Sequence, residues 1–199
     1  MDEVSCQNWI DVDLNVLAEN ARIIREYLSE DCRLLAVVKS DAYGHGAPPV
    51  ARTLFDNGAD YLGVATLAEA LELRRYGLPN APILVFAPLE AASAPVFVEQ
   101  GLTATITEVT AAEALSEAAE STGVTSRAHI KVDTGMSRYG LFPRDVENFA
   151  AQVFELPGIE WEGIYSHFAN GYSGNTAMCT RQFSRFMSVI NELADSGFE

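Results

Sequence analysis

One lysine follows an apolar run directly, where its amine could act as a nucleophile. Leu34–Val38 is continuously apolar, and Lys39 is the next residue. A lysine at the end of a buried strand is partly desolvated, which favours the neutral amine over the ammonium. We therefore interpret Lys39 as a candidate attachment point for an aldehyde cofactor, against the alternative of a solvated lysine. Tyr43 then either donates to a phosphate or covers the site, and His45 is interpreted as a loop residue.

Three further charged or titratable residues, Lys131, Arg138 and His167, lie within or after later apolar segments. Lys131 lies inside an otherwise apolar strand, so it is either paired with Asp133 or extends its ammonium to the rim. Arg138 stands between Gly135 and Gly140, and is either a fixed cation in a site or a surface arginine. His167 ends a strand-like run and is either an acid–base group or a satisfied core histidine.

Alternating strand and helix patterns must position these residues. Strand-like segments begin near residues 34, 61, 83, 102, 128 and 160, with helix-like segments between them. This alternation implies parallel βαβ units, as in a (β/α)8 barrel or a doubly wound sheet. The first strand lacks a following G-x-G-x-x-G segment, which disfavours the doubly wound sheet. We predict an α/β fold of the (β/α)8 TIM-type barrel, incomplete because about six of eight units are present.

The boundaries of several elements have specific signals. Residues 1–12 are predicted to hold an N-terminal strand over 7–12, and residues 13–199 the partial barrel. Asp13 is a predicted N-cap, and capping boxes are predicted at Thr66 with Glu69 and at Thr110 with Glu113. A long helix is predicted over 176–193. Chemistry in such barrels sits at the C-terminal ends of strands, so Lys39, Arg138 and His167 are expected on one rim.

Composition excludes several classes of function. The formal net charge of −15 disfavours nucleic acids and anionic membranes as partners. No apolar run reaches the roughly 18–20 residues of a transmembrane helix, and no signal peptide is recognisable, so we expect a cytoplasmic protein. Cys6, Cys32 and Cys179 are widely separated and are expected to be reduced. Neither cysteines nor histidines have metal-ligand spacing, so no metal site is predicted.

Three segments resemble the signatures of one enzyme family, the alanine racemases. Ala36–Gly46 (AVVKSDAYGHG) is similar to the family's pyridoxal-phosphate attachment signature, in which Ala-Asn more often follows the lysine. Lys131–Gly140 (KVDTGMSRYG) and Gly163–Ala169 (GIYSHFA) resemble the second and third signatures. The order and spacing of the three segments agree with that family, and the likeness covers essentially the whole chain.

The resemblance implies a role for each candidate residue. Lys39 would form an aldimine with pyridoxal 5'-phosphate and act as one of two catalytic bases. Tyr43 would bind the cofactor's phosphate, and Arg138 would contact its phenolate oxygen and help to bind substrate. Lys131 matches a lysine that is carbamylated in many members, and His167 would support catalysis at the opposite face. The implied reaction interconverts L- and D-alanine, supplying D-alanine for peptidoglycan.

The resemblance also implies parts that this sequence lacks. In the family, the opposite base is a tyrosine on a C-terminal β-domain contributed by the partner subunit of a homodimer. No such domain is present in the 199 residues. We therefore expect the chain alone to be inactive or nearly so. The alternatives are a serine or broad-spectrum amino-acid racemase of the same fold, or a non-catalytic barrel protein that binds pyridoxal phosphate.

Overall fold

The computed structural model describes residues 9–172 and 176–198. The chain divides into two compact units, Met1–Ile83 and Leu84–Glu199. The six strands lie in chain order, β1 to β6, in one sheet with helices between them. The predicted alternation of strands and helices is therefore confirmed. No helix in the described ranges is long and apolar enough to cross a bilayer.

The first unit contains the lysine segment. Its elements in order are the helix Leu14–Tyr27, β1 (Leu35–Val37), a turn over Lys39–Gly44, the helix Ala47–Asp56, β2 (Tyr61–Val64) and the helix Leu67–Arg75. β1 and β2 pair in parallel, with Leu35 opposite Tyr61 and Val37 opposite Gly63. The side chains of Leu62 and Val64 are fully buried, as expected for a strand covered on both faces.

The second unit continues the pattern with four strands. Its elements are β3 (Ile83–Pro88), the helix Ala94–Glu99, β4 (Thr103–Ile106), the helix Val109–Thr122, β5 (Ser126–Lys131), the helix Val146–Val153, β6 (Ile159–Tyr165) and the helix Thr176–Asp195. Neighbouring strands from β3 to β6 pair in parallel. Short 3-10 turns over Ala91–Ser93 and Pro143–Asp145 precede two of the helices. All six strands begin within two residues of the predicted positions.

Two of the three predicted helix caps are present. The Asp13 carboxylate accepts the N–H groups of Asn15 and Val16, and Thr66 and Glu69 form a reciprocal capping box. The predicted box at Thr110 and Glu113 is wrong. That helix begins at Val109, so Thr110 already lies in its first turn and no side chain caps the end.

The predicted N-terminal strand is absent from the part that the structure describes. Residues 9–12 have no regular structure, and residues 7 and 8 lie outside the described ranges. Trp9 is 75% exposed and Ile10 is 74% exposed. An extended segment becomes a strand only where another strand pairs with its backbone, and these residues have no such neighbour in the described chain.

Candidate functional site

The predicted residues divide between the two units. Lys39, Tyr43 and His45 belong to the first unit, and Lys131, Arg138 and His167 to the second. Lys39 follows the end of β1, Lys131 is the last residue of β5, and His167 follows β6. Lys39 and His167 thus follow the C-terminal ends of their strands, as predicted, whereas Lys131, predicted inside a strand, is its last residue. Their chemical roles stay predictions.

Lys39 opens a turn with an unusual backbone. Ser40, Asp41, Ala42 and Tyr43 have φ values of 53°, 54°, 50° and 57°, so four consecutive non-glycine residues are left-handed. The left-handed conformation costs an L-residue roughly 1–2 kcal/mol, because its Cβ approaches the following carbonyl oxygen. A run of this kind persists only where the surrounding structure holds it.

Hydrogen bonds within the segment supply part of that support. The Ala42 N–H donates to the Val38 oxygen at 3.0 Å, and the Gly46 N–H donates to the Asp41 oxygen at 3.0 Å. The Asp41 carboxylate accepts the Ala47 N–H at 2.6 Å. The ring of His45 has its Nδ1 2.9 Å from the Ala42 oxygen, and because a carbonyl can only accept, Nδ1 carries the proton. His45 is thus a structural loop residue, as interpreted from the sequence.

The carboxylate of Glu69 reaches the turn from a different element. Its Oε1 accepts the Ser40 N–H at 2.8 Å, and its Oε2 accepts the N–H groups of Ala65 at 2.6 Å and Thr66 at 3.1 Å. Thr66 is the N-cap of the helix Leu67–Arg75. The residue next to Lys39 is therefore tied to the N-terminus of that helix.

The side chains of the first unit differ in exposure. Lys39 is half-buried, whereas Tyr43 is 62% exposed. Ala42, between them in the turn, is buried. A buried small residue anchors the turn while the phenol faces outward, so Tyr43 is available to a ligand.

Lys131 in the second unit is almost completely enclosed. Its side chain is 8% exposed, its Nζ donates to the Val132 oxygen at 3.2 Å, and the same Nζ lies 4.9 Å from the centre of the Tyr165 ring. Burial lowers the pKa of Lys131 to about 8, with the attraction of Asp133 opposing and the repulsion of Arg138 assisting. About a tenth of this amine is therefore neutral at pH 7, far more than for an ordinary lysine.

Asp133 organises the loop that follows β5. Its Oδ1 accepts three backbone N–H groups at 2.9–3.0 Å, those of Gly135, Met136 and Ser137. Burial would raise the pKa of Asp133, but these donors and Lys131 outweigh it, so the pKa lies below its ordinary value. The carboxylate thus mainly serves its own loop instead of forming the ion pair with Lys131 that the sequence left open.

Gly140 allows the end of this loop to pass close to the strand. A Cβ at this position would lie 2.7 Å from the Asp133 nitrogen and 2.8 Å from the Val132 carbonyl carbon, and its φ of +124° is one that L side chains rarely adopt. The close approach lets the Asp133 N–H donate to the Leu141 oxygen at 2.8 Å. Arg138, between these anchors, is exposed.

The Tyr165 ring packs against the Lys131 amine. The Thr105 hydroxyl donates to the Val85 oxygen at 2.6 Å, so the Tyr165 hydroxyl, 2.8 Å from the Thr105 oxygen, is the donor in that pair. Burial raises the pKa of Tyr165 to about 12, against the opposing effects of Thr105 and Arg138. The phenol therefore stays neutral and presents its ring face to Lys131.

A buried glutamine joins the loops after β5 and β6. Gln182, 2% exposed, donates to the Thr134 hydroxyl at 3.2 Å and the His167 oxygen at 3.0 Å, and accepts the Ala169 N–H at 2.9 Å. Thr134 and Ser166 share a further hydrogen bond of 2.8 Å. The backbone of His167 is thus fixed while its side chain is exposed. A cavity of about 230 Å³ lies beside these residues.

A second group of charges lies earlier along the same two strands. The Glu162 carboxylate is 3.4 Å from His129 Nε2 and 3.8 Å from Arg127 Nη1. Burial lowers the pKa of His129, and Glu162 offsets part of that effect. A register shift in the pairing of β5 with β6 falls between Ala128 and His129, where Glu162 is passed over. Such a bulge re-aims a side chain.

The sequence did not single out Glu69 or Gln182 as parts of the site. Glu69 carried the signal of a capping box, but that signal says nothing of Ser40, which is 29 residues away. The helical spacing of the last helix predicts an apolar face of Phe183, Phe186, Met187 and Ile190, to which Gln182 does not belong. Gln182, Val189 and Leu193 are the buried positions there, whereas Phe183 and Met187 are exposed.

Metal-ligating side chains do not cluster within residues 9–172 and 176–198, where no three histidine, cysteine or carboxylate residues could hold an ion together. Cys32 and Cys179 are free thiols, and Cys6 lies outside the described residues. The candidate residues carry two amines, a guanidinium, a phenol and an imidazole.

Comparison with known proteins gives one consistent result. The family model of the alanine racemase N-terminal domain matches residues 12–199. An alanine racemase of Methanococcus maripaludis is 40% identical over 198 residues, which cover 98% of this chain and 52% of that protein. An alanine racemase of Desulfovibrio desulfuricans is 39% identical over 189 residues, covering 95% and 51%.

Solved structures agree with these relatives. The alanine racemase of Clostridium difficile 630 superimposes with a TM-score of 0.92 at 30% identity, covering 99% of this chain and 52% of that one. The Bacillus anthracis alanine racemase with bound L-Ala-P gives 0.85 at 33% identity, covering 94% and 48%. The chain thus spans about half the length of its relatives, with the strands and helices of a partial barrel. It belongs to the alanine racemase N-terminal domain family.

Proposed function

We propose that this chain provides the cofactor-bearing part of an amino-acid racemase that interconverts L- and D-alanine, with pyridoxal 5'-phosphate attached at Lys39. The observation that carries the proposal is Lys39 itself, which follows the end of β1 and opens a hydrogen-bonded left-handed turn. The family membership supports the reaction, since every relative compared is named an alanine racemase.

The residues of the chain fit an aldehyde cofactor. An aldehyde needs an accessible primary amine, and the sequence contains two lysines, Lys39 and Lys131. Lys131 is 8% exposed, whereas Lys39 is half-buried and therefore reachable. The exposed hydroxyl of Tyr43, four residues further on, suits a phosphate oxygen.

Each remaining residue has a proposed part. When bound, the cofactor supplies the electron sink that makes a proton on the α-carbon of the substrate removable. Lys39 moves that proton at one face, and Arg138 contributes a fixed positive charge toward cofactor and substrate. His167 acts as a supporting group, because its backbone is locked by Gln182. The D-alanine formed would serve peptidoglycan synthesis.

Lys131 is proposed to react with carbon dioxide. The neutral amine attacks the carbon of CO₂ and loses one proton to solvent, which yields a carbamate anion in place of a buried cation. The pKa of about 8 makes the neutral amine available, and the repulsion by Arg138 would become an attraction. Carbon-13 NMR of the chain in labelled bicarbonate should show a carbamate signal that Lys131→Met abolishes; the same signal in both would refute the assignment.

The attachment site is tested by borohydride reduction in the presence of pyridoxal phosphate, followed by peptide mass mapping. We expect a pyridoxyl group on Lys39 and none after Lys39→Arg, which keeps the charge but not the reactive amine. A pyridoxyl group confined to Lys131 or the N-terminal amine would overturn the proposal.

Turnover by the 199-residue chain alone is expected to be negligible, because its named relatives are about twice as long. Racemisation of L-alanine is measured by following loss of optical rotation, with L-serine as the second substrate. Turnover comparable with that of an intact racemase would contradict this expectation. If the intact protein turned over L-serine faster than L-alanine, serine would replace alanine as its proposed substrate. The homodimer is likewise proposed for the intact protein.

A further inference from the structure

The residue next to Lys39 receives support from one side chain outside its own segment. The Ser40 N–H donates to Glu69 Oε1 at 2.8 Å, across 29 residues of sequence. The other anchors of the left-handed turn are the backbone bonds around Ala42 and Gly46 and the Asp41 carboxylate. The Ala42 bond reaches back to the Val38 oxygen on the other side of the lysine, and Glu69 is the side chain that holds the backbone of the residue directly after it.

Helix capping does not account for this contact. A capping box requires the carboxyl group to reach the backbone N–H of the N-cap residue, and Glu69 Oε2 does this for Thr66 while also accepting the Ala65 N–H. Oε1 takes no part in the cap and instead accepts the Ser40 N–H. One carboxylate thus joins the N-terminus of the helix Leu67–Arg75 to the lysine turn.

We propose that Glu69 is a positioning residue for Lys39. It fixes the backbone conformation of Ser40, the first left-handed residue after the lysine. It therefore also fixes the direction in which the Lys39 side chain leaves the backbone. Without the Oε1 contact, Ser40 and its neighbours return toward the right-handed conformers that L-residues prefer, and the amine samples many positions. The inference rests on the proposed function in taking Lys39 as the cofactor lysine, and it deepens that function by naming what holds the amine in place.

The chain offers a matched pair of variants. Glu69→Gln keeps one carbonyl oxygen, which can accept either from the cap or from Ser40. The amide NH2 group faces the remaining N–H donors and cannot accept from them. Thr66→Ala removes the hydroxyl that accepts the Glu69 N–H, so it weakens the same helix cap without touching Ser40. An effect of Glu69→Gln beyond that of Thr66→Ala therefore reports on the lysine turn.

Two measurements on the 199-residue chain need no cofactor. Amide hydrogen exchange at Ser40 should become about tenfold or more faster in Glu69→Gln, because a bond to a charged acceptor is lost, and less than twofold faster in Thr66→Ala. Competitive acetylation with trace acetic anhydride across a pH series should change the labelling ratio of Lys39 to Lys131 in Glu69→Gln alone. Equal behaviour of the two variants in both measurements would overturn the proposal.

A third measurement connects the positioning to the cofactor. The dissociation constant of pyridoxal phosphate at Lys39, followed by absorbance and confirmed by borohydride mapping, should rise about tenfold in Glu69→Gln. Glu69→Asp, which keeps the charge, should recover part of the loss. If the unaltered chain forms no adduct at Lys39, the proposed function fails, while exchange and acetylation still decide the role of Glu69.

Discussion

The backbone segments that follow the two lysines are each held by a carboxylate, but the two carboxylates act over different distances in sequence. Asp133 accepts the N–H groups of residues two, three and four positions ahead, so it folds its own loop. Glu69 reaches 29 residues back to Ser40. The first arrangement forms with the loop itself, whereas the second exists only when a separate helix is in place. The lysines differ as well, since Lys131 is enclosed and Lys39 is half-buried.

Gly140→Ala should break the self-contained loop with the largest effect on stability. The added Cβ would lie 2.7 Å from the Asp133 nitrogen at a φ of +124°, so the backbone itself must move. We expect the free energy of unfolding in urea to fall by about 3 kcal/mol or more. Gly123→Ala is the control, because its φ is +68° and nothing lies within 4 Å; its loss should be about 1 kcal/mol. Equal losses would contradict the close approach.

Asp133→Asn should lower stability by a smaller amount, about 2 kcal/mol, because three N–H groups lose a charged acceptor. It should also lower the pKa of Lys131 below about 8, since the attraction of Asp133 raises it. Unfolding measurements and NMR titration of ¹³C-labelled lysine test both effects. The titration is simple to assign, because the chain has two lysines. An unchanged Lys131 pKa would show that the two charges do not interact.

Lys131→Met should change how stability depends on pH. Between pH 8 and 10 the lysine is largely neutral in the folded chain and protonated in the unfolded chain, so the unfolded state binds more protons. Stability of the unaltered chain therefore rises with pH in this window, by at most about 1.4 kcal/mol per pH unit from this group. Lys131→Met lacks that contribution, and urea unfolding at several pH values measures the difference. Parallel pH profiles for the two proteins would contradict the lowered pKa.

Added salt should have the smallest effect and should separate surface charges from the enclosed ones. The net charge of −15 causes self-repulsion, which is screened as the Debye length falls to about 3 Å at 1 M salt. We expect sodium chloride to stabilise the chain by about 1 kcal/mol, with sucrose at equal osmolality as the control. The pKa of Lys131 should hardly move, and a large shift would show that its charge is open to solvent.

Sequence reasoning succeeded where the determining interaction is local. The six sheet strands, the Asp13 N-cap and the Thr66–Glu69 box depend on neighbours within a few residues, and all are present. The left-handed turn was not predicted, because Ser40 and Ala42 carry no signal for positive φ. The Gln182 contacts were missed for a similar reason, since they join three segments that are distant in sequence.

The left-handed turn also affects the order in which the chain becomes ordered during synthesis. The ribosome releases Ser40 long before Glu69, and during that interval the local preference of residues 40–43 is right-handed. We therefore expect the lysine segment to leave the exit tunnel in a non-native conformation. It would change handedness only after the helix Leu67–Arg75 has emerged and packed, so the amine is one of the last groups of its unit to reach its final position.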